Sequence, residues 1–336
     1  MTHKDLNAVT GGAGFIGSHL ATALLQRGSR VRIIDNFSTG HRENTQDLAE
    51  EFADHLEVID ADIRDLDALR DLFSGAGVVY HQAAIASVQR SVRDPLESNS
   101  ANVEGTLKVL LAARDAGVRK VVFAASSSVY GDSEVLPKHE EMKPNPISPY
   151  ALTKYVGELY CQVFSDIYEL PAIGLRYFNV FGPRQDPKSE YAAVIPRFIT
   201  RMLRGERPII FGDGEQSRDF TYIDNVVSAN LIAASSEVRG LSLNVACGER
   251  FSLNQVVSML NEILGTRLQP LYQAARLGDV RHSQADIRLA VEKMGFKPLI
   301  LFREGLRRTA EWFARREKRA MAGEPVQRLY GSKEQD

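Results

Sequence analysis

Cysteine is scarce: 336 residues hold two, Cys161 and Cys247, 86 positions apart and each inside an apolar pattern. Isolated thiols of this kind read as packed and free in a reducing compartment, which leaves little basis for a disulfide framework. No CxxC pair and no His cluster with carboxylates at ligand spacing occurs, so no metal is expected. Long hydrophobic runs are missing as well. The longest, such as VVFAA and VLLAA, are far too short to span a bilayer, and MTHKDLN lacks the apolar centre of a signal peptide, so a cytoplasmic protein without a membrane partner is expected. Nor does one charge dominate. Forty-one Lys and Arg face 43 Asp and Glu, a formal net charge of -2, and no basic field for nucleic acid results.

What the chain does have is length and alternation. LNAVT precedes a helix from about 15 to 26, VRIID one across TQDLAEEF, and LEVID one across LDALRDLF. VVYHQA leads to a long helix over LESNSANVEGTLKVLLAARDA, and KVVFAAS to a loop and a helix over YALTKYVGELYCQVFSDIY. Near-continuous apolar strands alternating with helices predict a parallel sheet covered on both faces, the doubly wound Rossmann architecture of the α/β class. After residue 178 the texture changes to shorter helices (AVIPRFITRMLRG, NVVSANLIAAS, LNQVVSMLNEILG) and short strands such as RPIIFG and LSLNVA. The expected organisation is a Rossmann domain over 1–178 to which later segments return, a smaller mixed α/β part over 179–318, and a frayed charged tail over 319–336.

TGGAGFIGSH places Gly11, Gly14 and Gly17 between the first strand and the opening of a helix that begins with Phe15 and Ile16. The first glycine permits a tight turn, the second lets backbone approach a pyrophosphate, and the third lets helix and strand pack closely. Asp35 closes the second strand 18 residues past Gly17. A carboxylate there accepts from both ribose hydroxyls and repels a 2′-phosphate, which favours NAD over NADP. Arg42 is a possible dissenter, but Asn36 and Phe37 put no base beside Asp35. DADIRD offers Asp62 and Ile63 as an adenine edge, or else a turn and a helix N-cap.

The sharpest constellation is Tyr150 with Lys154 in SPYALTKY. Ser148 can cap and Pro149 can start the helix, which puts Tyr150 and Lys154 one turn apart on one face. A phenol titrating near ~10 is a poor base at neutral pH, and an adjacent ammonium together with a cationic ring favours its phenolate. Twenty-four residues upstream, AASSSVYG exposes Ser126, Ser127 and Ser128 at a strand's carboxyl end, where a hydroxyl can share a proton between substrate and Tyr150.

Together these segments resemble the extended short-chain dehydrogenase/reductase superfamily and, within its UDP-hexose 4-epimerases, the UDP-N-acetylglucosamine and UDP-N-acetylglucosaminuronate 4-epimerases. The similarity runs from about Ala8 to about Trp312 and includes FNVFGPRQDP, YAAVIPRFI, GDGEQSRDFTYIDNV and GDVRHSQADI in order. The resemblance implies an isomerase that recycles NAD. In it Tyr150 takes the proton of the sugar 4-hydroxyl, Ser126 or its neighbour Ser127 hydrogen-bonds that oxygen, and Lys154 bridges the nicotinamide ribose. It also implies Asn36, Ser38, Ala83, Ala84, Asn102 and Tyr177 as cofactor neighbours. On the UDP-sugar it implies Ser128 and Val194 as contacts, Asn179 at the diphosphate, Arg218 and Arg276 as phosphate clamps, Asp279 on the uridine ribose, and Ile209 and Phe211 about the uracil. A homodimer through a four-helix bundle is implied by the helices near 95–116 and 149–169, which carry Leu107, Leu110, Leu111, Val156, Leu159 and Val163.

In that family Ser283 occupies the gate beside the sugar's C2 substituent, where a bulky Tyr admits only a plain hexose, and Ala193 forms a second small wall. Conversion of UDP-GlcNAc to UDP-GalNAc is therefore expected, with UDP-Glc and UDP-Gal retained because removing a clash widens tolerance. A uronate 4-epimerase is the alternative, with Arg184 or Arg90 for the C6 carboxylate. A 4,6-dehydratase would carry an Asp-Glu pair at Ser127 and Ser128, and a decarboxylase a Glu at Ser128. A protein that merely senses a dinucleotide would be expected to lack Tyr150 or Lys154. Asn7, inside the first strand, stands where relatives carry an aliphatic residue and needs a partner. Near the gate, His282 reads as a loop residue and Asp286 as a cap of the next helix.

Overall fold

The structure is a computed structural model that describes residues 6–187, 193–275 and 280–322. Six strands, β1 (Leu6–Thr10), β2 (Arg30–Asp35), β3 (Leu56–Asp60), β4 (Ala76–His81), β5 (Lys120–Ser126) and β6 (Ala172–Tyr177), alternate with helices, beginning with α1 (Phe15–Gln26). They form one parallel sheet in the spatial order β6, β5, β4, β1, β2, β3, and a seventh strand, Ser242–Val245, pairs in parallel outside β6. LSLNVA thus returns to the main sheet from the later part of the chain. Every residue of β1 and β6 is buried, as continuous apolar strands covered on both faces must be. Between β1 and β4 the direction of winding reverses, and a crevice opens there at the carboxyl ends of the strands. Asn7 lies at a register shift in this β1–β4 pair, and it is not without a partner.

The helix Pro149–Ile167 starts as its sequence dictates. Ser148 Oγ accepts from the Ala151 amide at 3.1 Å and Pro149 occupies the first turn. Inside the fold, Glu158 on this helix holds Arg176 of β6 through two hydrogen bonds of 2.9 and 2.7 Å, and Arg176 also donates to Tyr130 Oη at 2.8 Å. A buried, bidentate pair of this kind fixes the helix against the sheet.

Two segments depart from the sequence expectation. The long helix predicted from Leu96 to Ala116 is interrupted, with Pro95–Asn99 passing through a π-helical turn at Ser100–Glu104 before Gly105–Asp115. The extra residue in that turn carries Asn102 inward, where its side chain bonds a loop and the Pro149–Ile167 helix. At the other end, the final helix runs from Phe302 to Met321, so residues 319–321 of the expected tail are helical, because Phe302, Leu306, Ala310 and Phe313 anchor it in the core. Residues 323–336 of that tail lie outside the described residues.

Short strand pairs build the smaller part: Val180–Phe181 with Thr221–Tyr222, Ser217–Arg218 with Phe251–Ser252, and Ile209–Phe211 with Leu271–Gln273. Phe181, Phe220 and Phe302 pack within one core with Val9 and Ile173 of the sheet, which holds residues 217–220 over the crevice. Both cysteines are buried and free. No helix among the described residues is long and apolar enough to cross a membrane.

Candidate active site

A groove at the β1–β4 crevice is lined by Gly11, Gly14, Phe15, Ile16, Gly17, Asp35, Asn36, Ser38, Asp62, Ile63, Ala83, Ala84, Tyr150, Lys154 and Tyr177. The turn before α1 admits nothing larger than glycine at its tight points. Gly11 has φ +69°, and a Cβ there would fall 2.6 Å from the Ala83 amide nitrogen; one on Gly17 would fall 2.2 Å from the Gly11 carbonyl. Gly14 precedes α1 in the N-cap position and offers no side-chain cap, so the helix's first amides and its dipole remain for an anion in the groove. These features fit a dinucleotide pyrophosphate.

The two carboxylates of the groove differ in setting. Asp35 is buried and accepts from the amides of Ala13 at 2.9 Å and Phe37 at 2.8 Å, and burial, outweighing those bonds, raises its pKa. Asp62 is held well below the usual carboxylate range by the Arg64 guanidinium and also accepts from Asn36 Nδ2 at 2.8 Å. The capping role falls to Asp65, whose side chain accepts from the Ala68 amide, so Asp62 is left at the groove. Arg42 stacks on Phe37 at 3.8 Å and pairs with Asp60 at 2.6 Å. Asn102 does not line the groove; it lies one layer behind, buried, with Oδ1 accepting from the Ile85 amide at 2.8 Å.

Tyr150 and Lys154 sit one turn apart as their spacing predicts, and both face the groove. Tyr150 is hydrogen-bonded to Ser126, and burial, opposed by that bond, raises its phenol above the ordinary value. Lys154 Nζ donates to the Ala124 carbonyl at 2.8 Å, and burial pulls its ammonium down to about 8 against the pull of Glu158. Ser128 donates to Ser126 Oγ at 2.9 Å, which leaves the Ser126 proton for another acceptor.

Beyond Tyr150 the groove opens into a cavity of about 1100 Å³ lined by Ser126, Ser127, Ser128, Tyr150, Asn179, Arg218 and Ser283. A third cavity, which shares Asn179 and Arg218 with it, is lined by Ala193, Val194, Ile209 and Phe211. The three spaces are therefore adjacent and share walls. Ala193 belongs to the far cavity rather than to the one at Ser283, together with Val194, Ile195 and Phe198 of the helix Val194–Leu203 that it precedes. Arg276 and Asp279 lie outside the described residues.

Ser283 is held by its main chain to a short strand. Ser283 N donates to the Ser217 carbonyl at 3.0 Å and its carbonyl accepts from the Asp219 amide at 2.8 Å. Asp219 itself is fully buried and its carboxylate accepts from the amides of Cys247, Gly248 and Ala285, while burial pushes it up to about 7. His282 Nδ1 bonds Ser217 Oγ at 2.8 Å, and Asp286 accepts from the Arg288 amide at the start of the helix Arg288–Met294.

The arginines named for a uronate are engaged elsewhere: Arg90 with Glu97 at 2.8 Å and Arg184 with Thr22 Oγ1 at 3.1 Å, and neither lines the large cavity. Sequence reasoning missed several residues. Lys138 is buried, lines the large cavity and donates to the Ser133 carbonyl; Gln185 and Gln216 line the two cavities, each with a buried Oε1 that has no hydrogen-bond partner among the described residues. Their signal was absent because a single Lys or Gln in a loop carries no local periodicity.

Comparison with known proteins places the chain in a family. The chain is 41% identical over 308 residues to a putative UDP-glucose 4-epimerase of Methanocaldococcus jannaschii, covering 90% of this chain and 97% of that one. Its fold superposes with TM-score 0.88 and 43% identity on the UDP-N-acetylglucosamine 4-epimerase of Methanobrevibacter ruminantium solved with UDP-N-acetylmuramic acid, over 93% of this chain and 99% of the other. A UDP-glucuronic acid 4-epimerase of Bacillus cereus, solved with UDP-glucuronic acid and NAD, matches with TM-score 0.83 and 34% identity over 91% and 98%. Residues 8–246, most of the chain, match the NAD dependent epimerase/dehydratase family, and the chain belongs to it.

Proposed function

We propose that the chain is a UDP-sugar 4-epimerase that interconverts UDP-GlcNAc and UDP-GalNAc and also accepts UDP-Glc and UDP-Gal. The observation that carries this reading is the place of Tyr150: bonded to Ser126, one turn from Lys154, at the join between the dinucleotide groove and the large cavity. Bound NAD would supply the acceptor for the C4 hydride and its return, so the net change is inversion at C4. Gly11, Gly14, Gly17 and the first turn of α1 hold its pyrophosphate, and Asp35 its ribose hydroxyls. Tyr150 Oη takes the proton of the sugar 4-hydroxyl, and Lys154, turning from the Ala124 carbonyl, stabilises the phenolate. Ser126, bonded to Tyr150 and oriented by Ser128, donates to the same sugar oxygen; Ser127 lines the same cavity. Arg218 and Asn179, shared by the two cavities, hold the diphosphate while the 4-keto sugar turns about it, with Arg276 as a second clamp and Asp279 on the uridine ribose. Ile209 and Phe211 flank the uracil.

Sugar size rests on Ser283 alone, since Ala193 lies in the nucleoside-end cavity. The engagement of Arg90 and Arg184 removes the cations proposed for a C6 carboxylate, yet Lys138 lines the cavity and keeps uronates in the test. The positioned Tyr-Lys-Ser set argues against a binding protein without chemistry. Following the 4-epimer formed from UDP-GlcNAc, UDP-Glc, UDP-GlcA and UDP-GlcNAcA is expected to show turnover of the first two, with UDP-GlcNAc preferred. Absence of every epimer sinks the reading, and turnover confined to the uronates replaces its sugar.

The chain is further proposed to form a homodimer through the Pro149–Ile167 helix. Leu152, Leu159, Val163 and Ile167 are exposed along it, with Val92 and Leu96 on neighbouring helices. Leu110 is fully buried and belongs to the core instead. Leu159→Glu with Ile167→Glu is expected to convert a dimer to a monomer in sedimentation; a monomeric parent protein at micromolar concentration refutes the interface.

A further inference from the structure

His81 has no part in the chemistry above, yet it is buried at the carboxyl end of β4, directly behind the groove. Its surroundings define a chain of hydrogen bonds whose direction can be read link by link. The carbonyl of Tyr150 can only accept, so Thr153 Oγ1 donates to it at 2.8 Å. Thr153 Oγ1 is then free to accept from Asn102 Nδ2 at 3.0 Å. The Asn102 carbonyl likewise can only accept, and it does so from Thr106 Oγ1 at 2.6 Å. Thr106, its proton spent, must accept from His81 Nε2 at 2.9 Å. His81 Nδ1 is therefore the bare nitrogen, which accepts from Thr10 Oγ1 at 2.8 Å, and Thr10 Oγ1 in turn accepts from the Ala83 amide at 3.4 Å. Every proton in the series is used once and in one sense.

The chain joins three parts of the site that are remote in sequence: the glycine turn after β1, the 82–86 floor of the groove, and the main chain at Tyr150. Asn102 also clasps Ile85 from both sides, Oδ1 to its amide at 2.8 Å and Nδ2 to its carbonyl at 3.2 Å. The π turn finds its reason here, since it brings the Asn102 carbonyl to Thr106 and its side chain to Ile85 and Thr153 together. Protonated His81 would donate from both nitrogens and collide with the Thr10 hydroxyl proton. Burial in this pocket, with the Lys154 charge adding to it, pulls the imidazole down to about 3, in keeping with a neutral ring.

We propose that His81, as its neutral Nε2–H tautomer, is a positioning residue for the hydride and proton transfers: it holds the groove floor and the Tyr150 helix in one register through Thr106 and Asn102. The proposal rests on Tyr150 being the base of the proposed epimerase. Its effect is on kcat, because misplacement of the reacting groups by a fraction of an ångström leaves the distant UDP contacts intact.

The test uses the holoenzyme. His81→Phe, which keeps volume and the ring contact with Phe123, is expected to lower kcat about 30-fold with KM for the UDP-sugar within about twofold. His81→Gln, which can donate and accept along the same line, is expected to restore kcat to within about threefold of the parent. Thr106→Val removes one hydroxyl and should cost about tenfold in kcat, a decisive result should His81→Phe fail to fold. In 15N spectra of the folded protein, His81 is expected as neutral imidazole protonated at Nε2. An Nδ1–H tautomer, or unchanged kcat in Thr106→Val, overturns the proposal. A fully active Tyr150→Phe sinks the epimerase mechanism instead, so the two failures are distinguishable.

Discussion

Tyr150→Phe is expected to lower kcat for UDP-GlcNAc epimerisation by about 10³-fold, the scale on which a positioned proton-transfer group contributes. The substitution removes one oxygen and little else. The Ser148 cap, the first-turn Pro149 and the amide of Tyr150, which donates to Ser91 Oγ at 3.0 Å, all stay as they are, so the helix keeps its place. The groove that would hold the dinucleotide is lined by many other residues, and NAD content of the purified protein should be unchanged. Loss of rate with retained NAD and a KM within severalfold assigns Tyr150 to the chemical step; unaltered turnover refutes the mechanism. The residual rate is expected to come from Ser126 and from orientation alone.

Ser283→Tyr is expected to reduce kcat/KM for UDP-GlcNAc by about 100-fold relative to UDP-Glc, because a clash with the acetamido group penalises one substrate and not the other. Its force comes from the main chain. Ser283 is hydrogen-bonded through both its amide and its carbonyl to residues 217 and 219, and Asp219 is itself tied to three further amides. A larger side chain at this position therefore cannot be relieved by letting the segment swing away, and must spend its volume in the cavity. Measuring both substrates with one enzyme preparation separates a gate from a general loss of stability. Equal loss on the two, or no loss on either, would refute the gate.

Much of the dinucleotide groove was legible because its signals are local. Gly11, Gly14 and Gly17 are set by a strand–turn–helix passage of a few residues, Asp35 by the end of the next strand, and Tyr150 with Lys154 by one helical turn. Each needs only backbone geometry and residue type. Asn102 shows where such reading stops: it was expected beside the cofactor, and it stands behind the groove because a π turn, invisible to a 3.6-residue pattern, redirects it toward Ile85 and Thr153. Ala193 likewise reads as a wall beside Ser283 until the helix it precedes is placed, and then it lines a different cavity, with Ile209 and Phe211. Arg90 and Arg184 were free cations on paper and are committed to Glu97 and Thr22 in the fold.

The sequence by itself determined the doubly wound sheet, the preference for NAD and the pairing of a tyrosine with a lysine and a serine, since alternation, turn chemistry and helical spacing act over tens of residues at most. Only the tertiary structure decided which serine meets Tyr150, that Arg90 and Arg184 are engaged by Glu97 and Thr22, and that His81, Thr106 and Asn102 form one directed chain beneath the groove. Those choices depend on contacts between β1, β4, the π turn and the Pro149–Ile167 helix, elements brought together by packing and not by spacing along the chain.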